Sequence, residues 1–106
     1  MFFINGIQWS IRYVPAFSEY LQRSDGSFTI GMTDGVTNEI FICDKLQGEK
    51  LRHVVCHETV HAFCFSYNIV LDIDEEERMA DFIATYGEEL IYLLDDIMSN
   101  IKYAVA

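Results

Sequence analysis

Basic residues are scarce in this sequence. Only seven Lys and Arg stand against 17 Asp and Glu, a formal charge of −10, whereas a nucleic-acid surface draws on clustered cations for its phosphate contacts. Nucleic acid is thereby excluded as an expected partner. Cysteine is scarce as well: Cys43, Cys56 and Cys64 form neither an even set nor a CxxC pair. That excludes a disulfide framework and fits unpaired, mostly buried thiols in a reducing compartment, so a cytoplasmic location is expected. No apolar run approaches the about 20 residues of a membrane span, so no membrane association is expected. The opening stretch Met1 to Trp9 lacks a positively charged segment, and its apolar run is broken by Asn5 and Gly6, so it does not read as a signal peptide. Repeats, linkers and low-complexity stretches are missing too.

What remains is an ordinary globular composition. At 51% hydrophobic and 14% aromatic content, 106 residues suffice for one core and are too few for two, so residues 1–106 read as a single domain. Much of the acidity falls in residues 72–77 and at Glu88, Glu89, Asp95 and Asp96, which reads as a solvated face.

Two periodicities divide the chain. Ile7, Trp9, Ile11 and Tyr13 alternate with polar residues, the period-two pattern of a half-buried strand ending near Pro15. Phe17, Tyr20 and Leu21 suggest a short helix, closed by the turn Ser24 to Ser27. Phe28, Ile30 and Met32 alternate again, Asp34-Gly35 supplies a turn, and Asn38 to Cys43 is apolar enough to be buried on both faces. Three strands are therefore expected. From Gly48 to Tyr67 the apolar positions take helical spacing, with Asn68 as a stop. A second long helix follows an N-cap at Asp72 or Asp74. Its apolar stripe runs through Met79, Ile83, Tyr86, Leu90, Leu93 or Leu94, Ile97 and Ile101, with a bend or break possible at Gly87. Strands first and helices last make an α+β domain, a roughly three-stranded N-terminal sheet packed on two long helices.

The chemistry concentrates in His57-Glu58-Thr59-Val60-His61. Residues four apart on a helix share a face, about 6 Å apart along the axis, so both imidazoles can bind one Zn²⁺. Glu58 points to the same side but is too offset to be a natural ligand, which leaves its carboxylate free to act as a base on a water. His53 lies one turn earlier, and at about 12 Å from His61 along the axis it is too far to share the ion. Cys64, one turn past His61, is a weaker candidate ligand. A catalytic zinc takes three protein ligands, and the second helix offers the third. Glu77 shares its face with Ala80, Asp81 and Ala84, small residues that let two helices approach, and Asp81 could accept a proton from a ligating imidazole. Glu76 is the alternative third ligand, and Asp74 with Glu77 forms a capping-box pattern that would tie Glu77 to the backbone. A helix starting at Asp72 would give that role to Glu75 instead.

Glu77-Arg78-Met79-Ala80-Asp81, following the His57–His61 motif, resembles the Glu-x-x-Ser/Ala-Asp/Asn helix of the gluzincin branch of HExxH metallopeptidases. The small size and Phe82-Ile83-Ala84 after the aspartate also resemble ImmA/IrrE-type proteins and the minimal zincins of phages and mobile elements. The Leu-Leu-x-Pro usual in the ImmA/IrrE type is replaced here by Tyr86-Gly87-Glu88-Glu89-Leu90. The resemblance implies a zincin-like fold and zinc-dependent hydrolysis of a peptide or protein substrate, such as a phage or mobile-element regulator. Glu58 would be the base, and His57, His61 and Glu77 the ligands. It also implies an extended substrate beside the sheet edge, at Asn38 to Cys43 or Phe28 to Met32. Tyr67, Tyr86 and His53 are the candidate donors to the oxyanion. The other reading is a zinc-stabilised binding or adaptor protein without turnover.

Overall fold

In the computed structural model, which describes residues 1–104, with side chains as far as Ile101, Asn5 and Gly6 close a two-residue hairpin. Both have positive φ, 49° and 77°, as a turn matched to strand twist requires, and Asn-Gly supplies it at little strain. The turn joins β1, Phe2–Ile4, to β2, Ile7–Val14, paired antiparallel with Ile4 opposite Ile7. A single 3-10 turn, Glu19–Leu21, follows where a short helix is expected. β3, Gly31–Asp34, and β4, Glu39–Cys43, then form a second antiparallel pair.

The sheet therefore has four strands, in the order β1-β2-β4-β3. The sequence predicts three; the fourth is the opening segment, where Asn5-Gly6 interrupts the apolar run because it forms a hairpin turn. β4 runs parallel to β2 and antiparallel to β3. Paired on both sides, it has no free edge, which removes Asn38 to Cys43 as a docking strand. β3 keeps an open edge, and it starts at Gly31, three residues later than the alternation from Phe28 suggests.

Helix α1 spans Gly48–Ser66. It ends in a Schellman arrangement: Asn68 takes φ 54°, and the Ile69 N–H donates to the Cys64 carbonyl at 2.9 Å. Helix α2 runs unbroken through Gly87, from Ile73–Ala104, about 48 Å at 1.5 Å per residue. Asp72 caps it, its carboxylate accepting from the Glu75 N–H at 2.9 Å. No helix among the described residues is long and apolar enough to cross a membrane.

One sheet face packs Trp9, Ile40 and Ile42 against Val54 and Ala62 of α1. The other buries Val14, Phe41 and Cys43 around Leu21, with the Tyr20 ring stacked on Phe41 at 4.7 Å. Trp9, Leu21, Ile40 and Ile42 are fully buried, each worth roughly 1.5–3 kcal/mol of transfer free energy. The Trp9 indole N–H donates to the Ser66 hydroxyl at 2.8 Å, fastening the end of α1 to β2. Both helices were expected to pack on the sheet. Among the described residues only α1 takes part in the core clusters of the sheet, and α2 packs chiefly against α1.

Candidate metal centre

α1 and α2 run antiparallel and meet through small residues. Ala80 of α2 is fully buried and Ala84 half-buried, so no large side chain holds the backbones apart. Across this seam, both imidazoles present Nε2 to one point. His57 Nε2 and His61 Nε2 lie 3.2 Å apart. The Glu77 carboxylate completes the group, with Oε2 3.1 Å from His57 Nε2 and Oε1 2.9 Å from His61 Nε2. One ligand atom from each of the three residues lies within 4.8 Å of the others, a group that can hold a metal ion.

Each ring is held from behind. Asp81 Oδ1 lies 2.8 Å from His57 Nδ1, and Glu76 Oε2 lies 2.5 Å from His61 Nδ1. A carboxylate at Nδ1 accepts that nitrogen's proton, which fixes the tautomer with the lone pair on Nε2. With each ring as that neutral tautomer, two Nε2 lone pairs and a carboxylate face one another, a group able to hold a cation.

The placement of Glu77 follows from the cap. Because Asp72 starts the helix, its first-turn partner is Glu75, and the D-x-x-E pattern from Asp74 is not used. Glu77 is free to turn toward α1. Glu76, the alternative third ligand in the sequence, holds the back of His61 instead. Asp81 sits where the sequence puts it, behind His57. Cys64 stays outside the donor group; burial, with the Glu76 carboxylate nearby, pushes its thiol up to about 11, so it remains a neutral thiol at physiological pH.

Glu58 is buried beneath the donor group, its Oε2 4.0 Å from His57 Nε2. The Thr33 hydroxyl on β3 donates to Glu58 Oε1 at 2.9 Å, with the Glu58 backbone carbonyl 3.0 Å away. Burial raises the Glu58 carboxyl above its ordinary range, against the lowering effect of the Thr33 hydrogen bond and of His61 and His57. A carboxylate placed this way is anchored at one oxygen and has the other turned toward the histidines.

Thr33 is the residue that sequence reasoning missed. Its alternation partner Gly31 is the signal: a Cβ there would fall 2.7 Å from Val54 Cγ1 and 3.0 Å from Glu58 Cγ. β3 can lie against α1 only because Gly31 has no side chain, and that contact brings Thr33 to Glu58. His53, Tyr67 and Tyr86 are all exposed, and none joins the hydrogen bonds of the donor group among the described residues.

No protein-family model, curated protein or solved structure matches the chain.

Proposed function

We propose that this chain is a zinc-dependent metallopeptidase with a gluzincin-like site, acting on peptide bonds of a peptide or protein substrate. The observation that carries the reading is the convergence of His57 Nε2, His61 Nε2 and the Glu77 carboxylate within 4.8 Å, with the Glu58 carboxylate beside them. Two imidazole nitrogens and one carboxylate form the His₂Glu donor set of catalytic zinc sites, which leave a fourth position open. The resemblance of the two sequence motifs to HExxH enzymes of the gluzincin branch points the same way.

A bound Zn²⁺ would supply Lewis acidity and bring the pKa of water toward neutrality. The rest of the chemistry belongs to the chain. His57, His61 and Glu77 would hold the ion, and Asp81 and Glu76 would keep both rings turned so that Nε2 faces it. Glu58 would accept a proton from the attacking water and deliver it to the leaving amine. A carboxylate raised by burial suits both halves of that task, since a base whose pKa lies nearer to neutrality also returns the proton more readily. A purely structural metal site has no use for such a carboxylate.

Glu58→Gln tests the assignment. The amide oxygen can still accept from Thr33, so fold and metal content should be retained, while peptide cleavage should fall by at least about 100-fold, the usual contribution of a general base. Cleavage of a peptide library at equal rates by wild type and variant would remove Glu58 from the reaction. Retained zinc with no cleavage by the wild type would favour a zinc-stabilised binding protein instead.

A further inference from the structure

We propose that Thr33 is a positioning residue for the reaction, a role that rests on the metallopeptidase reading above. Its hydroxyl holds Oε1 of Glu58, which leaves Oε2 as the atom that takes the proton of the attacking water. Among the described residues Thr33 is the only hydrogen-bond donor to this carboxylate, at 2.9 Å. Its Oγ1 also lies 3.0 Å from the Glu58 backbone carbonyl, but a hydroxyl has one proton to give, and an ionised carboxylate is the stronger acceptor. His57 Nε2, 4.0 Å from Oε2, is beyond hydrogen-bond range. Oε2 is therefore free for a water. The last torsion of a glutamate is broad and roughly two-fold, so without an anchor the two oxygens would exchange places and the carboxylate plane would drift. One hydrogen bond at Oε1 stops both.

The strand is shaped around this contact. Alternation puts Gly31, Thr33 and, just past the end of β3, Gly35 on the side toward α1. A Cβ at Gly31 would meet Val54 Cγ1 at 2.7 Å, and one at Gly35 would overlap the Phe65 ring, so side chains are excluded before and after Thr33. Thr33 alone reaches across. It lies opposite Ile40, whose side chain is fully buried, and a slip of one residue would turn Thr33 away from α1. Branching at Cβ restricts its χ1, so the hydroxyl is held by its own stiffness as well as by the strand. Valine would fill the same space. What the hydroxyl adds is the proton for Oε1.

Thr33→Val removes that proton and keeps the shape. In peptide cleavage by the zinc-loaded chain its kcat should fall about 10- to 100-fold with KM changed less than about twofold, the pattern of a lost transition-state interaction. Thr33→Ala, which leaves no methyl group beside the carboxylate, should behave alike, and Thr33→Ser, which keeps the hydroxyl, should recover most of the loss. All three should be folded by circular dichroism and hold as much zinc as wild type. In metal-free protein labelled with ¹³C at the glutamate Cδ, the Glu58 resonance, identified by its loss in Glu58→Gln, should move in Thr33→Val and return in Thr33→Ser. Equal kcat in wild type, Thr33→Val and Thr33→Ala, no recovery in Thr33→Ser, or a Glu58 resonance unmoved by loss of the hydroxyl would overturn the proposal. A wild type that holds zinc but cleaves no peptide would overturn the metallopeptidase reading and the part of Thr33 in turnover with it, while the resonance would still report the anchor.

Discussion

Glu58 stands apart from the other acids around the histidines by its burial. Its carboxyl is buried and its pKa lies above the ordinary value of 4.5, chiefly through desolvation. Below that value the group is neutral in folded and unfolded chains alike, and burial costs little. As pH rises through 4.5 the unfolded chain ionises first, and the cost of keeping the charge buried grows until the folded group has ionised too. Glu58→Gln has no charge to bury. In metal-free protein the variant should therefore melt at a higher temperature than wild type at pH 8, and the difference should vanish below about pH 4. Equal melting temperatures at pH 8 would mean that the histidines and Thr33 fully offset the desolvation. At this scale the sequence was informative where a helix dictates geometry: His57 and His61 four apart, and Asp81 one turn past Glu77, follow from 3.6 residues per turn. Which of Glu76 and Glu77 turns toward the Nε2 atoms depends on where the helix starts, at Asp72, a backbone contact no pattern displays. Thr33 was not legible, because its role depends on the approach of two elements distant in sequence.

Among the elements, β3 and α1 form the contact on which the position of Glu58 depends. Gly31 is the point of closest approach, where an added methyl group would meet Val54 Cγ1 at 2.7 Å and Glu58 Cγ at 3.0 Å. Gly31→Ala should cost about 1–3 kcal/mol, as overpacking of a filled interface does, and should also move Thr33 away from Glu58. Chemical denaturation is the measurement: the midpoint should fall with an unchanged slope, and an unshifted midpoint would show that β3 can recede freely. The helices and the strands β2 and β4 could be read from periodicity, since their apolar faces meet a core. β1 is hidden, because three residues are too few to show a period, and its Asn-Gly turn reads in the sequence as a break in an apolar run. The stripe on α2 is visible in the sequence, but period alone does not say what a helix face packs against. α2 turns its small residues toward α1 and leaves the large apolar ones in solvent.

For the molecule as a whole, the donor group spans the packing contact between α1 and α2. α1 is fastened to the sheet by Trp9, Ile40 and Ile42, whereas α2 rests on α1 through small residues, and its Arg52–Glu88 ion pair is exposed and worth little. Two of the donor residues come from α1 and one from α2, so a bound ion would clamp the helices together and its binding energy would add to folding stability. Whether His57, His61 and Glu77 form one metal site is measured by zinc titration of the metal-free chain, followed by thermal unfolding, for wild type and Glu77→Ala side by side. Wild type should bind one equivalent and gain about 2.7 kcal/mol of stability when free zinc is 100 times its dissociation constant, and Glu77→Ala should lose both. Equal zinc affinity in the two proteins would contradict that site.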